Sequence, residues 1–428
     1  MASPKIDGIP EDLRPIGNNK NALSLGAIYG ANAAGKSNLV HAIAFFREML
    51  LSQITPNSGT GVIPFVLDKK KLNEGSYFQI IFLNESDVCR YGFECSEYEI
   101  KKEWMYVNDK LYFDRVNIDG VVNVRFDGIF KDKENEDFYK FLVKGTRPEH
   151  LFFCELRDRN VDVLKHLHMW IISNLVIISA EGPYPHSGWK FYPGDFLVAF
   201  MRNILKCADS GIKDMNLRFV TNKGIDLSPG VQKDLFNSLK KASPYSKLPI
   251  VIGAPNGERR RIFALENDDL CEMEYVFIHS DDDGLPNFTF HNESEGTQRL
   301  IDLLPSLTPV HGHTIIVDEL DRRLHPNLSR LLIEVWRKMN RQGSQLIFTT
   351  HDDNLLSDDL LRRDEVWLVD KDETGHSSLT SLAEFKIPEG TNIERQYLRG
   401  RFGGVPYLRR EELDEFLNEI QNEGANLK

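Results

Sequence analysis

Cysteine is scarce: the 428 residues hold five (Cys89, Cys95, Cys154, Cys207, Cys271), an odd number with no C-x-x-C pair. That spacing excludes a zinc knuckle and argues against a disulfide framework, so a reducing, cytoplasmic setting is expected. Long apolar runs are lacking too. The first fifteen residues, MASPKIDGIPEDLRP, contain no signal-peptide core, and the most apolar stretch, WIISNLVII at 170–178, is about half a bilayer span. No membrane contact is expected. Positive charge is in deficit: 52 Lys and Arg against 64 Asp and Glu give a formal net charge of -12. This excludes a protein that coats nucleic acid through bulk charge, leaving only a local patch for such a partner.

Hydrophobic patterning divides the chain. Residues 23–29 read as a short buried strand, and Leu39, Ile43, Phe46 and Leu50 then draw one apolar stripe down a helix. From 77 to 124, short alternating runs separated by Asn, Asp and Gly predict an antiparallel meander. Residues 170–179 suggest another strand. A proline-bearing segment at 181–249 reads as an insertion with two helices. After it, 274–279 and 287–291 flank DDDGLP as a hairpin, and alternating β and α elements follow: a helix from Glu295, strands at 314–317, 345–349 and 365–369, and a helix from Pro326. That alternation implies a parallel sheet covered by helices. The expected organisation is a first lobe at 1–155, a mainly helical insertion at 156–265 and a second lobe at 266–428.

Four motifs bear chemistry. GANAAGKS at 30–37 fits the phosphate-binding loop G-x-x-x-x-G-K-[ST] between a strand and a helix. Gly30, Asn32, Ala34, Gly35, Lys36, Ser37 and Asn38 are its candidate ATP contacts. Backbone amides and the helix N-terminus would face the phosphates, Lys36 would bridge the β- and γ-phosphates, and Ser37 would offer its hydroxyl to Mg2+. Second, IIVDE at 315–319 ends a strand in two carboxylates. Asp318 is the second candidate metal ligand, and Glu319 the residue that orients the attacking water. Third, QLIFTT leads to His351 on the same edge, fit to touch the γ-phosphate or that water; a capping histidine is the plain alternative. Fourth, SEGTQR at 294–299 opens a helix: Ser294 caps it and Gly296 allows close backbone approach, a second anion-binding N-terminus.

These pieces, in this order, resemble the ABC-type ATPases, with SEGTQR in the signature position and Arg299 within it. The split lobes and LDRRLHP after the carboxylates bring the resemblance closer to the SMC and RecF branch. IYGANAAGKSNLVHAI, PFVLD at 64–68, LKCADSGIKD, ESEGTQRLIDLLP, VDELDRRLHP, FTTHDDNLL and YLRGRFGGVP are similar to the bacterial AAA family ATPases of the RloA kind, related to the AriA and PtuA ATPases of phage defence. The resemblance implies an α/β P-loop NTPase fold: an ABC-type split head with an antiparallel β subdomain and a short, mainly helical insertion. It implies ATP and Mg2+ as ligands and a dimer, or larger assembly, with ATP between Lys36 and Ser37 of one subunit and Ser294 and Gly296 of the other. Asp321 would be the dimer-loop contact, with a solvated acidic residue as the plain alternative. It further implies an ATPase controlling a separately encoded nuclease or toxin in anti-phage defence, with DNA or a phage protein as a further partner. An SMC-like DNA-repair ATPase and a scaffold using ATP as structural glue are the alternatives.

Other signals read as structural. Asp370-x-Asp372 is expected to be a turn, and His166, His168, His311 and His313 surface or loop histidines. Arg259 to Arg261 and Arg399, Arg401, Arg409 and Arg410 are expected on solvated faces. The amphipathic stretch bearing Leu413, Phe416, Leu417 and Ile420 suits docking on the body or on a partner.

Overall fold

The computed structural model describes residues 13–15, 21–51, 59–84, 86–118, 120–128, 135–159, 161, 164, 168, 170–171, 174–180, 194–220, 227–242, 250–253, 260–266, 269–280, 282, 287–308, 312–340, 343–388, 390–406 and 409–426. In chain order the strands are β1 (Leu13–Pro15), β2 (Asn21–Leu23), β3 (Leu25–Gly30), β4 (Ser76–Asn84), β5 (Asp87–Cys95), β6 (Ile100–Val107), β7 (Lys110–Ile118), β8 (Val121–Phe126) and β9 (Leu175–Ile178). They continue with β10 (Asp214–Phe219), β11 (Ile250–Gly253), β12 (Arg260–Glu266), β13 (Asp269–Ile278), β14 (Phe288–Thr289), β15 (Thr314–Val317), β16 (Gln345–Thr349), β17 (Val366–Lys371) and β18 (Ser377–Ser381).

The central sheet has the order β18-β17-β3-β16-β15-β9, parallel except for the β17–β18 hairpin. Its strands are short apolar runs, and β3 is buried along its whole length, as expected of a parallel strand covered on both faces. Because β3, β15 and β16 run the same way, their carboxyl ends bring the phosphate loop, the paired carboxylates and His351 to one edge, where open α/β sheets bind ligands. The expected meander is the sheet β4-β5-β6-β7-β8.

The helix Lys36–Leu51 lies between these two sheets, which explains its apolar content. Val40 and Ile43 pack with Leu175 and Ile316 of the parallel sheet, while Phe46, Met49 and Leu50 pack with Tyr91 and Phe93 of the meander. Phe46 stacks on Phe93 with centroids 5.5 Å apart. A buried carboxylate ties the meander to the helix Phe152–Asp158: Glu103 accepts from the amides of Phe152 (2.7 Å) and Phe153 (2.9 Å), the Tyr91 hydroxyl (3.0 Å) and Arg115 Nη1 (3.4 Å).

Residues 156–265 hold the two helices expected, Gly194–Cys207 and Pro229–Ala242, and more strand than their periodicity suggests. β9 joins the central sheet, covering only part of 170–179, since Trp170 and Ile171 are helical. β10, β11 and β12 belong with β13 and β14 to an antiparallel sheet. Their conformation depends on pairing with β13, a distant partner that local propensity does not reveal. β13 and β14 form the expected hairpin. No helix among the described residues is long and apolar enough to cross a membrane.

The C-terminal helix Arg410–Asn426 is not docked on the body: Leu413, Phe416, Leu417 and Ile420 are all exposed. His168 is buried and helical, correcting the surface-or-loop expectation, while His313 is buried within the loop before β15. His168 Nε2 lies 3.1 Å from the Leu50 carbonyl, and this burial replaces the solvent foreseen for it. His166, His311 and Arg259 lie outside the described residues. Arg399, Arg401, Arg409 and Arg410 are exposed, as expected. Asp372 closes a turn by accepting from the amides of Thr374 and His376, both at 2.9 Å.

Candidate nucleotide site

The phosphate loop is shaped by close packing. At Gly30 a β-carbon would stand 2.7 Å from the Val369 carbonyl of β17, so no side chain fits. Ala33 (φ 62°) and Gly35 (φ 113°) take the left-handed conformation that curls successive amides around a concavity. The Ala34 amide donates to the Ala31 carbonyl at 3.1 Å, and Ser377 Oγ of β18 donates to the Ala34 carbonyl at 2.6 Å, bracing the loop from outside. Within the loop Ala34 is buried and Asn32 exposed, and Asn38, just after it, is exposed too.

Lys36 opens the helix, and its ammonium donates to the carbonyls of Gly30 (2.8 Å) and Ala31 (3.2 Å), which holds the charge across the loop. Burial lowers the Lys36 pKa, opposed by Asp321, Glu319 and Asp318 in that order. One electrostatic field therefore joins the loop to the carboxylate edge.

That edge is built from β15 and β16. Asp318 is buried; its Oδ1 accepts from Thr349 Oγ1 at 2.6 Å and from Ser37 Oγ at 3.3 Å. A hydroxyl and a carboxylate oxygen, from residues 281 positions apart, thus meet at a helix N-terminus. This donor set fits Mg2+ shared with a polyphosphate, because Mg2+ takes one or two protein oxygens and completes its shell with phosphate and water. Glu319 follows in a left-handed conformation (φ 50°), uncommon for a residue with a side chain. The turn is held from both sides. Its amide donates to Thr349 Oγ1 at 2.7 Å, and Arg299 Nη2 donates to the carbonyls of Asp318 and Glu319, each at 3.2 Å. The Glu319 carboxylate does not stand free: its Oε2 lies 2.6 Å from Arg322 Nη1.

His351 is exposed at the same edge, and its amide donates to both carboxylate oxygens of Asp321 at 3.3 Å. Burial lowers its pKa, as does the neighbouring Lys36, against the carboxylates of Asp321, Glu319 and Asp318. Lys36, Ser37, Asp318, Glu319, Asp321 and His351 thus form one cluster.

Ser294 caps the helix Glu295–Leu303 by accepting from the Thr297 amide at 3.2 Å, and both Ser294 and Glu295 are exposed. A β-carbon on Gly296 would lie 2.8 Å from the Arg323 carbonyl, so the glycine serves close packing against the segment after Glu319. Among the described residues no hydrogen bond joins Ser294 or Gly296 to the phosphate loop of the same chain. Arg299, grouped with them by sequence, instead points inward and binds the Asp318–Glu319 backbone of its own chain. Burial lowers its guanidinium to about 10, which leaves it charged near neutrality.

Sequence reasoning did not single out Thr349, Arg322 or Ser377. Thr349 had a legible signal: a hydroxyl at the end of an apolar strand, two residues before His351, must find a polar partner when buried. Arg322 and Ser377 had none, since their partners are fixed by a turn and by a hairpin.

The sequence profile of the AAA_21 family, described as "AAA domain, putative AbiEii toxin, Type IV TA system", matches residues 26–115 and 121–357. No curated protein matches the chain. Among solved structures, it is similar to an Smc head bound to the C-winged helix domain of ScpA, at 13% identity over 84% of this chain and 91% of that one, with a TM-score of 0.39. The SMC head domain from Thermotoga maritima gives 12%, 86%, 95% and 0.31 for the same quantities. The recombination mediator protein RecF-ATPrS gives 14%, 88%, 96% and 0.31.

Proposed function

The chain belongs to the AAA_21 family of AAA domains, and from that premise we propose that it is a Mg2+-dependent ATPase of the ABC type, working as an ATP-sandwiched dimer that controls a separately encoded effector. The observation that carries this reading is the meeting of Ser37 Oγ and Asp318 Oδ1 at 3.3 Å, beside the loop amides and on the edge shared with Glu319 and His351. The loop amides and Lys36 bind and orient the triphosphate. Mg2+, held by Ser37 and Asp318, would neutralise charge developing on the phosphates. Glu319 orients the attacking water, and the neutral His351 ring hydrogen-bonds the γ-phosphate side. Positioning and charge stabilisation supply most of the acceleration in such a transfer.

The exposure of Ser294 and Glu295 at the N-terminus of Glu295–Leu303 supports a second-subunit role for Ser294 and Gly296, because that end of the helix is open to a partner. ATP at that junction would bind the closed dimer better than the open monomers, and so would shift the equilibrium toward closure. The family description names an AbiEii toxin of a type IV TA system, and the role proposed for this chain is in anti-phage defence. The proposed effector is a nuclease or toxin, with DNA or a phage protein as a further partner.

Complementation between subunits tests the arrangement. Lys36→Ala and Ser294→Arg should each abolish phosphate release. Mixed, they form heterodimers with one intact site and should recover part of the wild-type rate. Failure of the mixture to exceed either parent would remove the trans assignment, and full activity of Lys36→Ala alone would remove the ATPase itself.

A further inference from the structure

Residues 64–68 and the β17–β18 turn take no part in the chemistry above, yet they meet beside the phosphate loop. β17 runs parallel to β3 with Val369 opposite Gly30, continues through Asp370 and Lys371, and returns with Ser377 paired to Lys371. The hairpin therefore overshoots the end of β3 by two residues, about 7 Å at strand spacing. Ser377 fastens it to the loop through the Ala34 carbonyl.

The residue before Ser377 is His376, whose ring lies 4.5 Å from that of Phe65 at an interplanar angle of 32°. The imidazole is pre-oriented. Its Nδ1 is 2.6 Å from Thr374 Oγ1, and that hydroxyl in turn donates to Asp372 Oδ1 at 2.7 Å. Leu67 presses on Gly375 in the same turn, where a β-carbon would clash with it. His376 still keeps 46% of its side chain exposed, and Phe65 is half-buried.

Topology decides which end of a nucleotide comes this way. β16 and β15, leading to His351, Asp318 and Glu319, lie on one side of β3, and β17 and β18 lie on the other. A triphosphate whose terminal phosphate faces the carboxylates sends its nucleoside end toward the hairpin. The geometry points to Phe65 and His376 as the platform on which the base of a bound nucleoside triphosphate stacks, an inference that rests on the nucleotide reading of the loop. Stacking uses the π face that every base has, so the platform adds affinity without choosing among bases.

The test compares ATP with inorganic triphosphate, which keeps the phosphates and lacks the base, by calorimetry with Mg2+ on the full chain. Phe65→Ala and His376→Ala should each cut the preference for ATP over triphosphate by about five- to a hundred-fold, the value of one base–aromatic stack, while triphosphate affinity stays put. Phe65→Trp should retain the preference, and its added fluorescence should be quenched by ATP and not by triphosphate. A pair that merely clasps residues 64–68 to the turn would leave the ratio at its wild-type value in both alanine variants, which overturns the platform with the loop reading intact. Wild-type protein that binds neither ligand, or Lys36→Ala that binds both unchanged, overturns the loop reading and the platform with it.

Discussion

Removing Arg322 should accelerate hydrolysis. In the proposed mechanism the carboxylate of Glu319 turns to the attacking water, yet Oε2 is held 2.6 Å from Arg322 Nη1. Both side chains are about one-third exposed (33% and 29%), so the pair ranks above a fully solvated ion pair and below a buried one. On that footing it is worth about 1 kcal/mol. If the contact must break before the water is engaged, its loss lowers the barrier by the same amount, and Arg322→Ala should raise kcat about five-fold. The lost cation also stood in the field of the loop, so KM for ATP should rise and the comparison must be made at saturating Mg·ATP. Steady-state phosphate release against salt gives an internal check, because screening weakens a partly exposed pair and should bring the wild-type rate toward that of the variant. In Glu319→Gln, removing Arg322 should bring no gain. A fall of kcat in Arg322→Ala toward the Glu319→Gln level would refute the reasoning, since the arginine would then be assisting the reaction rather than restraining it.

Thr349→Val keeps the shape of β16 and removes the hydroxyl that bonds Asp318 Oδ1 and receives the Glu319 amide. With two buried polar groups left short, about 1–3 kcal/mol of stability should go, together with most of the Mg2+-dependent activity, as read by thermal unfolding and phosphate release. Glu103→Gln leaves the Arg115 guanidinium, 1% exposed, without its counter-charge; about 3–5 kcal/mol should be lost, visible as a large drop in Tm, while ATP affinity of the folded fraction is unchanged. Acid should destabilise the fold through His150 and His168. Burial lowers the pKa of both, with the Arg157 cation adding to the effect at His168. Below about 6.5 the unfolded chain binds protons that the fold excludes, so stability should fall as pH drops from 6.5 through the lowered values. A flat Tm between pH 7 and 5 in a variant carrying His150→Gln and His168→Gln, against a falling one in the wild type, is the expected signature.

What was legible in the sequence is what local pattern determines. GANAAGKS needs only its own glycines and the following helix, and β15 and β16 announce themselves as apolar runs, so Lys36, Ser37, Asp318 and His351 are found without knowing the fold. Residues 156–265 show their helices in local periodicity but not their strands, because a β-strand is stabilised by its neighbour, and β10 and β12 both lean on β13. The same reason hid Ser377. Its hydroxyl matters only because a hairpin 343 residues further on lies against Ala34. Arg322 escaped for another cause: the left-handed turn at Glu319, rather than any regular spacing, brings the two charges together.

Arg299 changes how the two faces of the site relate. A signature residue that only met a neighbouring subunit would have no reason to be buried, whereas Arg299 is buried and grips the backbone of Asp318 and Glu319 within its own chain. Four positions earlier on the same helix, Glu295 pairs with Arg323 at 3.4 Å, and Gly296 rests against the Arg323 carbonyl. The helix Glu295–Leu303 is therefore tied through Glu295, Gly296 and Arg299 to the segment that bears the candidate carboxylates Asp318 and Glu319. A load applied at its exposed N-terminus would pass to the turn at Glu319 through the contacts of Arg323 and Arg299, since packed protein is little compressible. Docking of a second subunit on Ser294, as proposed, would thus reach Glu319 along the five helix residues from Glu295 to Arg299 rather than through the nucleotide alone.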